Sequence, residues 1–244
     1  MQRGSVAVVI PAAGSGSRMG GVPKQFRLLG EAPVLVQTLR AFEEHSAVDR
    51  CVVATAEAEV AVVEAMLASY GLAARVVPGG ATRQDSVGQG LAALPDGVDV
   101  VLVHDAVRPF IGAERITAVI EASREHEAAA LAVPVADTLR RGEAGHFSDT
   151  VDRTDLWRMQ TPQAARLDLL RQAHRQARAE GFCGTDEVEV LQRAGHAVRL
   201  VEGDAHNLKL THPGDWEIAE VLWAKWEREH GRRGEQGKEG TPVA

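Results

Sequence analysis

Val6-Ala7-Val8-Val9-Ile10-Pro11-Ala12-Ala13-Gly14-Ser15-Gly16-Ser17-Arg18-Met19-Gly20-Gly21-Val22-Pro23-Lys24 joins an unbroken apolar run to a glycine-rich loop that carries two cations. The run Val6 to Ile10 is short, β-branched and without polar alternation, as expected of a strand buried on both faces. The loop has the chemistry of a polyphosphate cradle. Small residues admit backbone N–H groups close to phosphate oxygens, and Arg18 and Lys24 can offset the charge on them. Loop cations are often merely solvated; here the glycines and the place directly after the first strand favour a ligand. Two familiar phosphate loops do not fit. Met19 stands where the dinucleotide fingerprint needs its third glycine, and no Gly-Lys-Ser/Thr closes a P-loop.

Outward from this loop, apolar runs alternate with segments of helical period. Strands are expected near Val6–Ile10, Asp49–Thr55, Ala73–Val77, Val98–His104 and Ala128–Val135. Helices are expected near Val34–His45, Glu57–Ser69, Gln84–Leu94 and Glu114–His126. Repeated βαβ units of this kind give an α/β fold: a mostly parallel, Rossmann-like sheet flanked by helices, with ligands at the carboxyl ends of the strands. Three segments have that placement: the first loop, Gly79-Gly80-Ala81-Thr82-Arg83 and Asp105-Ala106-Val107-Arg108-Pro109. From Asp137 to about Gln160 the rhythm stops, and the segment reads as an arm that packs on its own domain or reaches a second subunit. Helices resume near Arg166–Glu180 and Asp186–Ala194, followed by short strands Ala197–Val201 and His206–Leu210 and a last helix after Pro213. The final residues, rich in Gly, Glu, Lys and Arg, read as a disordered tail.

The chain has 244 residues and a net charge of −7. That length suits one substantial core, and that charge argues against nonspecific nucleic-acid or membrane binding. Cys51 and Cys183 lack metal-ligand spacing and read as free thiols of a reducing, cytoplasmic compartment. No apolar run is long enough to span a membrane, and the N-terminus lacks the apolar segment of a signal peptide. A second catalytic domain is not expected after the last helix.

Several residues admit two readings. Asp105 can hold a divalent cation or a substrate hydroxyl, or close an Asx turn. Arg108 can contact a ligand or pair with a neighbouring acid. His104 reads as a satisfied strand-end histidine. Arg83, Asp85 and Ser86 sit where a helix start could meet a nucleotide, and capping alone accounts for the last two. Thr161-Pro162-Gln163 and Thr185-Asp186-Glu187 read as helix starts. Lys209 is either an edge gatekeeper or a phosphate ligand. Trp216, Trp223 and Trp226 recur at helical spacing as packing residues, whereas Trp157 in the arm is an interface candidate. No catalytic triad and no zinc spacing is present.

Taken in order, these blocks resemble the 2-C-methyl-D-erythritol 4-phosphate cytidylyltransferase family of non-mevalonate isoprenoid synthesis. The resemblance rests on Val9 to Met19 with Pro23-Lys24-Gln25-Phe26, Gly79 to Val87, Val103 to Pro109, Pro134 to Thr138, Thr150 to Arg153, Thr161-Pro162-Gln163, Thr185-Asp186-Glu187 and Asn207 to Thr211. It spans roughly residues 5 to 225. It implies a Mg²⁺-dependent transfer of CMP from CTP to methylerythritol phosphate, with release of pyrophosphate. Arg18, Lys24 and Lys209 would then be catalytic. Pro11, Ala12, Ala13, Gly14, Gly16, Gly80, Arg83 and Ser86 would bind CTP. Asp105, Arg108, Thr138, Arg153, Thr161 and Thr185 would face the acceptor, with Asp105 also near a metal held mainly by CTP phosphates. The resemblance implies a single domain over residues 1–230, whose β-arm, about 137–160, dimerises the chain and carries Arg153 to the partner's substrate. Val107 and Leu208 look like conservative departures, and the tail, 231–244, has no implied role. Two rivals remain: a cytidylyltransferase for another polyol phosphate such as ribitol 5-phosphate, and a noncatalytic nucleotide-binding protein on the same fold.

Overall fold

β1 (Ser5–Pro11) is followed by β2 (Leu28–Leu29), β3 (Ala32–Pro33), α1 (Val34–Glu43), β4 (Arg50–Thr55), α2 (Val60–Ser69), β5 (Arg75–Pro78), α3 (Arg83–Ala92), β6 (Val98–Val103), α4 (Ala113–His126) and β7 (Ala128–Pro134). The chain continues through β8 (Leu139–Glu143), β9 (His146–Val151), β10 (Trp157–Arg166), α5 (Leu167–Ala179), α6 (Glu187–Arg193), β11 (Arg199–Glu202) and α7 (Pro213–His230). The structure is a computed structural model and describes residues 4–14 and 23–230. Arg18, Gly16 and the tail 231–244 lie outside the described residues.

Seven strands form one sheet in the order β11-β7-β10-β6-β1-β4-β5. β1 pairs in parallel with β4 and β6, so that Val9 lies between Val52 and Val103. Side chains alternate across a strand, and β1 therefore feeds two cores. Val6, Val8 and Ile10 pack with Leu35, Leu39 and Phe42 of α1 and Ile116, Val119 and Ile120 of α4. Ala7 and Val9 pack with Val87 and Leu91 of α3 and Leu170, Ala173 and Ala177 of α5. A smaller cluster at Phe110, Leu210 and Trp216 seats α7, where Trp223 and Trp226 lie against Phe110 with ring centroids 6.0 and 5.6 Å away. α3 approaches β1 closely: a Cβ on Gly90 would come within 2.4 Å of Val9 Cγ1.

Three expectations from the sequence change here. Thr161-Pro162-Gln163 starts no helix; it forms a register shift inside β10, with a cis bond between Thr161 and Pro162. β10 runs antiparallel between β6 and β7, while the other neighbouring pairs of the sheet are parallel. Gln160, Thr161 and Gln163 are buried at its centre and only Ala164 and Ala165 join the apolar cores, so the long apolar run that reveals a buried strand is missing. His206–Leu210 is a succession of turns rather than a strand, held by Asn207 N–H to Asp204 O at 3.0 Å and Leu208 N–H to His206 O at 2.7 Å. The segment expected as an arm divides into the exposed β8–β9 hairpin, whose strands pair only with each other, and the first residues of β10.

Gly90→Ala should destabilise the fold. Overpacking against Val9 costs about 1–3 kcal/mol, which outweighs a helix-propensity gain of up to about 1 kcal/mol. The expected result is a lower urea midpoint, partly restored when Val9→Ala is added to the same chain.

Candidate active site

At the carboxyl end of β1 the chain turns into the glycine-rich loop, and hydrogen bonds fix the described part of it. Ala12 N–H donates to Ala54 O at 2.7 Å. Gln25 is buried, and its Nε2 donates to Ala12 O at 3.0 Å and to Gly14 O at 3.3 Å. A side chain that the sequence assigned no role thus secures the stem of the cradle. Lys24 opens a single 3₁₀ turn, Lys24–Phe26, and lines a cavity together with Pro11, Ala12, Ala13 and Gly14.

The start of α3 forms another wall. Thr82 is its N-cap in a capping box with Asp85, which satisfies two otherwise unpaired donors. Ser86 Oγ accepts from Gly80 N–H at 3.1 Å and donates to Thr82 O at 2.9 Å, so that Ser86 fastens the Gly80 turn. The turn tolerates no side chain at Gly80, whose Cβ would lie 2.2 Å from Asp85 Cβ. Gly80, Arg83 and Ser86 all line the cavity.

Asp105 follows β6 and is almost fully buried. Its Oδ1 meets Arg83 Nε at 3.3 Å, and its Oδ2 is shared by Arg108 Nε at 3.3 Å and Lys209 Nζ at 3.0 Å. Burial pushes the Asp105 carboxyl up, and the charges of Arg83, Lys209 and Arg108 reverse this, holding it well below the usual carboxylate range. Arg108 is itself buried and donates onward to Asn207 O at 2.7 Å and Met159 O at 3.4 Å. It therefore ties the Asp105 loop to β10 and to the segment carrying Lys209. Both Asp105 and Lys209 line the cavity; Arg108 stands behind them.

A buried relay sets the backbone of the same loop. Thr161 Oγ1 accepts from Asp105 N–H at 3.0 Å and lies 3.1 Å from His104 Nδ1, while His104 Nε2 lies 3.0 Å from Arg108 O. A carbonyl only accepts. His104 must then donate from Nε2, and in the neutral ring that burial favours Nδ1 is the acceptor that faces the Thr161 hydroxyl. Burial pushes the His104 ring down to about 4, against the smaller upward pull of the Arg108 carbonyl bond. His104 is a satisfied strand-end histidine, and Thr161 reaches Asp105 through the backbone.

Two further residues escaped the sequence reading. Gln163 Oε1 accepts from Glu187 N–H at 2.8 Å and Val188 N–H at 3.2 Å, covering donors at the start of α6. Glu187 is buried beside His174 and Arg83, with Nε2 of His174 at 2.6 Å and Nη1 of Arg83 at 2.8 Å. The signal for both was present in the two Thr-containing blocks, where each residue passed as part of a helix start. Asp186 does cap α6, accepting from Glu189 N–H at 2.9 Å.

The remaining expected residues lie elsewhere. Thr138 is exposed just before β8. Arg153 is exposed after β9 and donates through Nη1 to Ala136 O. Thr185 Oγ1 is 3.0 Å from Glu189 Oε2 at the start of α6. None of the three lines the cavity. For a metal, the described residues contain no group of three or more His, Cys, Asp or Glu side chains able to hold one. Asp105, faced by three cations, fits a further cation poorly.

A mostly parallel α/β sheet with a cation-bearing cavity at the carboxyl ends of its strands defines a protein that binds a small anionic ligand at the usual place for that fold. A family model described as 2-C-methyl-D-erythritol 4-phosphate cytidylyltransferase matches residues 6–225. A protein of that name from Salinibacter ruber is 52% identical over 223 residues, covering 91% of this chain and 94% of its own length. One from Bacillus velezensis is 44% identical over 219 residues, covering 88% and 94%. Among solved structures, the cytidylyltransferase from Thermus thermophilus is 37% identical with a TM-score of 0.76, covering 88% of this chain and 96% of that one. The chain belongs to the 2-C-methyl-D-erythritol 4-phosphate cytidylyltransferase family and is an enzyme of the nucleotidyltransferase class.

The His104 ring makes a prediction for stability. Its folded value of about 4 lies below the ordinary 6.5, so above the latter both states are neutral and the ring costs nothing. As pH falls from about 6.5 to 4 the unfolded chain takes up a proton that the folded chain refuses, and stability drops by up to about 1.4 kcal/mol per pH unit. Urea unfolding at pH 7 and pH 4.5 should show a smaller loss across that window in His104→Gln than in the unaltered chain.

Proposed function

We propose that the chain transfers CMP from CTP to 2-C-methyl-D-erythritol 4-phosphate, giving 4-diphosphocytidyl-2-C-methyl-D-erythritol and pyrophosphate. The observation that carries this reading is one cavity in which Lys24, Lys209 and Asp105 meet the backbone of residues 11–14 and the Gly80 turn, in a chain of that family. An oxygen of the acceptor phosphate forms a bond to the α-phosphorus as the α–β bridging P–O bond breaks, and the electron pair leaves on pyrophosphate. The acceptor phosphate is ionised near neutral pH, so no protein nucleophile or base is needed. The work left to the chain is positioning and charge compensation.

Lys24 and Lys209, with Arg18, supply that compensation at the α-phosphorus and the leaving group. Lys209 is already held by Asp105 at 3.0 Å yet keeps two-fifths of its side chain exposed, so a phosphate oxygen can take over part of its coordination. Backbone groups of Pro11 to Gly14 and of Gly80 frame the cytosine and ribose. Asp105 takes the acceptor hydroxyl side, with Arg108 and Thr161 holding it in place. Mg²⁺, or another divalent cation, would be held mainly by the CTP phosphates and would add to the charge compensation that Lys24 and Lys209 supply. The enzyme works in the cytoplasm as a homodimer, in which the arm brings Arg153 to the partner's acceptor, and Thr138 belongs to the acceptor side.

Pyrophosphate release from CTP should be strong with methylerythritol 4-phosphate and weak with ribitol 5-phosphate. Preference for ribitol phosphate would reassign the acceptor, and silence with both would leave a nucleotide-binding protein. Lys24→Ala and Lys209→Ala should each lower kcat by about 10²–10³. Chelation with EDTA should abolish turnover, and added Mg²⁺ should restore it.

The shared site makes a separate prediction. Lys209→Ala damages a subunit's own site, whereas Arg153→Ala damages its partner's. After the two inactive homodimers are mixed and allowed to exchange, half the sites in each heterodimer are intact, which restores about a quarter of full activity. A monomer by sedimentation removes the dimer from the proposal, and no recovery on mixing removes the crossing of Arg153 to the partner's site.

A further inference from the structure

Glu187 carries an unexplained cost. An ionised carboxylate with 2% of its side chain exposed loses several kcal/mol of hydration, in a helix whose neighbouring inward positions are Val190 and Leu191. Its backbone is fixed by Gln163 and its side chain by His174 at 2.6 Å. What this rigid carboxylate holds is Arg83, 104 residues earlier in sequence, through Nη1 at 2.8 Å. The same guanidinium reaches Asp105 through Nε at the longer distance of 3.3 Å, and its Nη2 is buried without a protein partner. Arg83 is thus anchored on Glu187 and rests more loosely on Asp105.

We propose that Glu187, steadied by His174, is a positioning residue for the transfer: it holds Arg83 to the Oδ1 side of Asp105 and so leaves Oδ2 to Lys209 and Arg108. This rests on the catalytic reading of Lys209 given above. Three cations, Arg83, Arg108 and Lys209, face Asp105, and Glu187 is the second carboxylate among them. Without its charge, Asp105 becomes the sole anion for all three. A guanidinium prefers the two-pronged grip on a carboxylate, and Arg83 would close onto both Asp105 oxygens. Lys209, the more exposed and more flexible of the competitors, would be displaced from the position that serves the phosphate.

The test is a double-mutant cycle on the full-length enzyme, with thermal melting to confirm folding and kcat and KM measured for each substrate. Glu187→Gln keeps the shape of the side chain and removes its charge. It should lower kcat about tenfold or more while changing KM for CTP less than about threefold. His174→Gln, a milder change that leaves the charge of Glu187 in place, should act in the same direction and less strongly. Because the effect runs through Arg83, the Arg83→Gln/Glu187→Gln double variant should be no slower than Arg83→Gln alone. Losses that multiply in the double variant, or a Glu187→Gln enzyme with unchanged kcat, overturn the proposal. An unaltered enzyme with no cytidylyltransferase activity would instead overturn the catalytic reading on which it rests.

Discussion

The burial of one carboxylate governs the arrangement of this site. Asp105 stands at the carboxyl end of a central strand, where the backbone leaves little room for water. An ionised group in that position is stable only with opposite charges at contact distance. The chain meets the requirement with cations from three separate segments: Arg83 at the head of α3, Arg108 within the same loop and Lys209 from the turns before α7. Each brings its own piece of backbone to the rim of the sheet. The cavity is the space those pieces enclose along with the loop after β1.

β10 explains how three such segments can be held in register. The parallel strands of valine and alanine present mostly apolar side chains and hold the loops beside them chiefly through backbone bonds, as Ala54 O holds Ala12 N–H. β10 inserts antiparallel between β6 and β7 and carries buried polar side chains at its centre. Gln160 donates to Asp204 O at 2.7 Å, Thr161 accepts from the Asp105 backbone at 3.0 Å, and Gln163 accepts from the start of α6 at 2.8 Å. Each bond reaches a different loop. The hairpin arm follows from the same insertion: β7 ends at Pro134, which pairs with Trp157 at the start of β10, so the chain between them leaves and re-enters the sheet at neighbouring points.

What the sequence reveals follows from how each part is stabilised. β1, β4, β6 and β7 are legible because burial on both faces demands continuous apolar runs, and the helices between them are legible from their period. His104 was legible as a satisfied strand-end histidine, since an apolar strand end offers a ring little besides local hydrogen bonds; its neutrality follows only from the burial the fold imposes. β10 was not legible, because its buried polar residues are satisfied by partners distant in sequence, as Gln160 is by Asp204 and Gln163 by Glu187. Thr161-Pro162-Gln163 has the composition of a helix start, and tertiary bonds give it another use. Lys209 was singled out from the alternation of Leu208 and Leu210; the segment proved irregular, and only Leu210 of that pair is fully buried. Glu187 passed as a first-turn acid, for which an N-terminal helix position is sufficient reason, and only the fold places His174 and Arg83 against it.

The chain has a net charge of −7, yet its cavity suits polyanions. The contradiction disappears once screening is considered. Surface acids more than about 8 Å from the cavity are largely masked at physiological ionic strength, whereas buried pairs are not. Local charge therefore decides, and Asp105 and Glu187 do not cancel the three cations around them. Their greater effect is on order. A lysine free in solvent loses up to about 2 kcal/mol of rotamer entropy when a ligand fixes it; Lys209 has already lost much of that freedom to Asp105. In the transfer we propose, an arriving phosphate would exchange one oxygen partner for another at a cation whose position is set. In a site that works by compensating charge, such preorganisation separates a binding surface from a catalytic one.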